Sequence, residues 1–108
     1  RDYKINEAIE MLEEAYSQKS EDPYIIDSIG WAYYLIDNFN KAEKFLKKAV
    51  QLMPDDPIVN DHYGDILWKL DRKIQARYFW LMVLEMEDAE QEQIDQIKNK
   101  LIDGPKNS

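Results

Sequence analysis

The 108-residue sequence predicts an all-α fold made of repeated helical hairpins, and three observations carry that expectation. Displacing the chain by 34 positions lays IIDSIGWAYYL, residues 25–35, on VNDHYGDILWK, residues 59–69. Pro23 then falls on Pro57, Asp27 on Asp61, Gly30 on Gly64, Asp37 on Asp71, Ala42 on Ala76 and Phe45 on Phe79. The same displacement backwards puts Ala8, Leu12 and Ala15 under Ala42, Leu46 and Ala49, so a third copy is visible without its front half. The second observation is that apolar residues within each copy return at helical spacing. The third is the glycine inside an otherwise good helix, which costs about 1 kcal/mol relative to alanine and so needs a packing reason.

The elements follow in chain order. Residues 3–18 read as the second helix of a repeat whose first helix is missing. Residues 23–36 and 38–53 form one complete hairpin, and 57–70 and 72–87 the next. Pro23 and Pro57 suit first helical turns, with Asp22 and Asp56 before them as N-caps. Pro54 follows a helix end, where it cannot continue the ladder. Asp37 and Asp71 stand in the turns, and aspartate tolerates left-handed backbone better than most residues. In the tail, Ile94, Ile97 and Leu101 make an i, i+3, i+7 stripe in a polar setting. A helix over 89–103 is expected there, opened by a capping-box-like pair, Asp88 and Gln91, and stopped by Gly104 and Pro105. Lys106–Ser108 are expected to fray.

A 34-residue period with this patterning resembles the tetratricopeptide repeat (TPR) family, W-x2-L-G-x2-Y followed by A-x3-F and P. One copy reads Ile26-x2-Ile29-Gly30-x2-Tyr33, Ala42-x3-Leu46, Pro54. The next reads Asn60-x2-Tyr63-Gly64-x2-Leu67, Ala76-x3-Trp80, with Asp88 where proline is usual. The resemblance covers about residues 3–88 and implies an α-α superhelix: a half repeat (3–18), two full repeats (23–53 and 57–87) and a capping helix (89–103) in a single domain, 1–108. Gly30 and Gly64 would let the second helix of each hairpin approach the first, with Ala42 and Ala76 opposite. Asn60 departs from the pattern, since a large apolar residue is expected there; it suggests a helix start more exposed than usual. The run DHYGDILWKLDRKIQARYFW looks like bacterial repeats. Arg1 in place of an initiator methionine suggests the C-terminal piece of a longer array.

Composition narrows the function classes. The formal net charge is −8 with a pI near 4.6, a field that repels phosphate and argues against nucleic acid. No apolar run approaches the ~20 residues of a membrane span. There is no cysteine for a disulfide or thiolate, the only histidine is His62, and no glycine-rich phosphate loop exists. An enzyme and a cofactor are therefore not expected. Asp27, Asp61, Asp65 and His62 could offer oxygens and an imidazole to a divalent cation, but helix faces rarely converge as such ions require, and no metal site is assigned. The compartment is open, with the cytoplasm slightly favoured over the periplasm.

By the resemblance, the first helix of each repeat lines a concave face. That assigns a peptide-binding groove to Tyr24, Asp27, Ser28, Trp31, Tyr34 and Leu35, and to Ile58, Asp61, His62, Asp65, Trp68 and Lys69. Trp and Tyr supply stiff contact area of the kind found in hot spots. With Asp27, Asp61 and Asp65 opposed only by Lys69, the groove suits a basic peptide or protein segment. The Lys, Asn and Arg set with which chaperone-binding members hold a terminal carboxylate is missing. The function expected is a scaffold or adaptor for protein binding. The alternative is a self-assembling segment whose helix 3–18 pairs with a second copy through Ile5, Ile9, Leu12 and Tyr16, giving a homodimer.

Overall fold

A computed structural model describes residues 2–106, with the side chain of Asp2 left out; residues 107 and 108 of the expected frayed end lie outside it. Six helices follow one another with no strand among the described residues. They are α1 (Asp2–Gln18), α2 (Pro23–Leu35), α3 (Phe39–Leu52), α4 (Pro57–Lys69), α5 (Lys73–Leu84) and α6 (Gln91–Asp103). The fold is the all-α helical-hairpin repeat the sequence predicts. By compactness the chain divides into two units, residues 1–53 and 54–108.

In the first unit α2 packs on α3 and on α1. Asp22 caps α2 by accepting from the Tyr24 and Ile25 amides, with Pro23 in the first turn. The hairpin closes on Asp37, whose φ of 64° is the left-handed conformation, and Asn38 caps α3. At Gly30 the missing Cβ leaves room for the Leu46 side chain, whose Cγ would lie 2.6 Å from it. The residue opposite the glycine is therefore Leu46, one turn beyond the expected Ala42. A branched side chain seated directly on the α2 backbone recovers by dispersion and burial what the glycine costs. Tyr33 stacks on Phe45 at 5.9 Å, and Tyr16 of α1 meets the same ring edge-on at 5.6 Å.

The second unit repeats the plan. Asp56 caps α4, Asp71 turns the hairpin at φ 63°, and Trp80 fills the space over Gly64, its indole standing where a Cβ would be. Trp80 is fully buried and donates to the Asp61 carbonyl. Asn60 overturns its expectation. It is fully buried, because its amide nitrogen donates to the carbonyls of Pro54 and Asp56 at the start of α4, at 2.9 and 2.8 Å. The departure from an apolar residue thus holds the chain entering α4. Its Oδ1 has no hydrogen-bond partner. α5 ends at Leu84, three residues before the expected end. α6 begins at Gln91 with Glu90 in the cap position and no side-chain cap bond, so the Asp88–Gln91 box is not formed. The expected stop stands: Gly104 adopts φ 78° and its amide bonds the Lys100 carbonyl.

Candidate functional site

On α2 the side chains assigned to the groove separate by depth. Tyr24 and Ser28 are exposed, Leu35 is partly so, and Trp31 is half-buried. Asp27 and Tyr34 are buried in the first unit. The i, i+3 spacing of Trp31 and Tyr34 stacks their rings, with centroids 4.5 Å apart and planes 10° from parallel. Tyr34 in turn leans on Phe39, so Trp31 presents one face of a stiff aromatic pile built into the hairpin.

On α4 the acidic pair is not opposed by Lys69 alone. Asp61 and Asp65, one turn apart, both face α6, and Lys100 of α6 reaches both. Its Nζ stands 2.7 Å from Asp61 Oδ1 and 3.0 Å from Asp65 Oδ1. Gln93 donates to Asp61 Oδ2 and to the Pro57 carbonyl. Gln93, Ile97, Lys100 and Gly104 recur at i, i+4, i+7 and i+11 and so share one side of α6. While α6 packs on α5, Gln93 and Lys100 form this ridge's bonds to α4, Gly104 meets Trp68, and Ile97 is fully buried. The sequence reading followed Ile94, Ile97 and Leu101 and missed this ridge because two of its members are polar. The same helical spacing, applied without regard to polarity, would have found Lys100. Trp68 is likewise engaged: a notional Cβ on Gly104 would lie 2.6 Å from its ring, and Lys73 and Arg77 stand over it at 4.8 and 5.2 Å.

The electrostatics follow from two carboxylates sharing one ammonium out of water. Burial pushes Asp65 up to about 6, against the pull of Lys100, and the neighbouring Asp61 charge adds to the rise. Burial alone would lower Lys100, but Asp65 and Asp61 outweigh it and hold the ammonium above the usual lysine range. The cation idea meets the same occupant, since Lys100 already pairs with both Asp61 and Asp65. Among the described residues no three His, Cys, Asp or Glu side chains form a group suited to a metal.

Beside this latch lies an open cleft of about 350 Å³ between the start of α4 and the start of α6. Its floor is Pro57 and Ile58, the latter 55% exposed. Its walls are Asp61, His62, Asp88, Glu90, Glu92, Gln93 and Gln96, with no lysine or arginine among them. Sequence reading missed Asp88, Glu90 and Glu92 as site residues because they precede or open α6, and only the return of α6 to α4 places them opposite Ile58 and His62.

Helix α1 does not present the expected stripe. Ile9 is 5% exposed, and Ile5, Leu12 and Tyr16 are half-buried. Tyr16 packs on Phe45 and accepts from Lys48, and Glu13 of the same helix accepts from the Tyr33 hydroxyl. The large apolar residues that α1 does expose are Tyr3 and Met11.

Comparison with known proteins agrees with this architecture. Residues 25–56 match the family described as "Tetratricopeptide repeat". A TPR repeat-containing protein of Pseudomonas aeruginosa is 34% identical over 65 residues, which is 60% of this chain and 11% of that protein. Protein bimA of Emericella nidulans is 26% identical over 76 residues, 70% of this chain and 9% of that protein. The chain thus spans about a tenth of the length of these curated relatives. Among solved structures, the first TPR of Spaghetti (RPAP3), bound to the HSP90 peptide SRMEEVD, is similar with a TM-score of 0.77. It is 22% identical, and the likeness covers 89% of this chain and 76% of that one.

Proposed function

Since the chain belongs to the tetratricopeptide repeat family and shares the fold of a peptide-binding member, we propose that it is a protein-interaction module whose partner is a basic peptide or protein segment. The observation that carries this reading is the cleft between α4 and α6. Three carboxylates, Asp88, Glu90 and Glu92, line it with no lysine or arginine among the lining residues, beside the Lys100-paired Asp61 and above an apolar floor that would take the stem of a lysine or arginine. The peptide held by the Spaghetti domain carries two glutamates and an aspartate. A chain of net charge −8 repels such a peptide and attracts its opposite. The exposed Tyr24 and the Trp31 face add sequence-tolerant aromatic contact area on the first unit.

A peptide-display selection followed by fluorescence anisotropy tests this. Lysine- or arginine-bearing peptides are expected to be enriched and SRMEEVD not to bind. Glu90→Lys with Glu92→Lys should weaken the enriched peptides at least about tenfold, roughly 1.4 kcal/mol. Both residues are exposed and neither side chain makes a cap bond, so the variant keeps the fold. Enrichment of acidic or uncharged peptides, or basic peptides indifferent to the double variant, would overturn the assignment of this cleft.

A further inference from the structure

The outer face of α5 carries Ile74, Tyr78 and Leu81 at i, i+4 and i+7, and they are 84%, 58% and 52% exposed. The 34-residue register supplies a control within the same chain. The equivalent positions on α3 are Asn40, Lys44 and Lys47, and on α1 Asn6, Glu10 and Glu13, all of them exposed and polar. Three helices thus occupy the same place in the repeat, and two present a solvated face there. The repeat itself does not call for apolar side chains at these positions, and only α5 is apolar on both its inner and outer sides. An exposed apolar stripe that the fold does not use marks an interaction surface.

We infer that this stripe is a self-association surface, on which α5 of a second copy packs antiparallel. The charges at the two ends select the occupant. At the N-terminal end of α5, Arg72 and Lys73 outnumber Asp71, which stands 4.0 Å from Lys73, so that end is net positive, while Glu85 and Glu87 follow the C-terminal end. Antiparallel pairing about Tyr78 sets Ile74 against Leu81 of the second copy and brings the basic end of each helix to the acidic end of the other. Opposed helix dipoles favour the same direction. Parallel pairing would place like charges together at both ends. The contact is isologous and closes on itself, so it yields a dimer rather than a filament. Three side chains make a patch smaller than a standard stable interface, and the dimer is accordingly a weak one.

Sedimentation of the chain from roughly 10 μM to 1 mM, spanning weak dimer constants, reads the outcome directly. The mass is expected to rise from 12.9 kDa towards twice that value with concentration. Ile74→Asn with Tyr78→Lys and Leu81→Lys transplants the α3 residues onto α5, which the repeat tolerates; it should remain monomeric with unchanged helicity by circular dichroism. Glu85→Lys with Glu87→Lys leaves the stripe intact and should weaken association at least about tenfold. Tyr3→Lys with Met11→Lys, on the exposed side of α1, should change nothing. A monomer throughout, a dimer that survives the triple substitution, one indifferent to the charge reversal, or one abolished by the α1 change would each overturn the inference.

Discussion

Gly64 and Gly30 show how a single missing side chain sets the geometry of a hairpin. Each is a place where a large residue of the second helix rests on the backbone of the first: Trp80 on Gly64, Leu46 on Gly30. Gly64→Ala would gain about 1 kcal/mol of helix propensity yet drive a methyl into a fully buried indole that is also hydrogen-bonded to Asp61. We expect a net loss of about 2 kcal/mol or more from overpacking, measurable by urea unfolding. Gly30→Ala should cost less, since Leu46 has two torsions to turn and no hydrogen bond to lose. The turn aspartates go the other way. Asp37 sits at φ 64°, where an L-residue pays for its Cβ, so Asp37→Gly should stabilise by about 0.5–1 kcal/mol in the same assay.

At the scale of elements, the start of every central helix was legible, and the fate of the last one was not. Asp22–Pro23 and Asp56–Pro57 announce α2 and α4 because cap and first-turn chemistry is local. α6 was legible as a helix, with its Gly104 stop, but its docking depends on polar residues: Gln93 and Lys100 are read as solvated until the acidic pair they meet is known. Asn60 misled for the same reason, its partners being backbone carbonyls that a side-chain pattern does not display. Likewise the α1 stripe looked orphaned because packing on α2 and Phe45 is a tertiary matter. The α6 latch has a definite pH signature. Burial holds the Asp65 carboxyl at about 6 in the folded chain, above its ordinary 3.8. The folded state then binds this proton more tightly than the unfolded chain, and stability falls as pH rises from about 4 to about 6, by up to about 3 kcal/mol from this group. Asp65→Asn should flatten that part of the stability–pH curve relative to wild type. Lys100→Met, by contrast, strands two buried carboxylates and should cost about 3–5 kcal/mol at pH 7; calorimetric melts of the two variants across pH 4–7.5 separate them.

For the whole molecule, an acidic composition governs encounters more than stability. A net charge of −8 on 108 residues would raise the on-rate of the basic partner proposed above and make its binding salt-sensitive. Raising ionic strength from about 0.05 to 0.5 M should slow association with a lysine-rich peptide far more than it speeds dissociation, as stopped-flow anisotropy can resolve. The sequence displays this charge in full but not its distribution. Asp61 and Asp65, which looked like the acidic centre of a groove, are paired with Lys100, whereas Asp88, Glu90 and Glu92 line the cleft with no lysine or arginine among its walls.

A ligand that wants Asp61 and Asp65 meets a competitor on the same chain, tethered at an effective concentration of the order of millimolar or above. Free lysine or a lone basic side chain cannot win that contest. On the proposed reading, only a segment that also engages the cleft and Ile58 could displace α6, and the threshold for recognition would be set by the part of its own acidic surface that the chain already occupies.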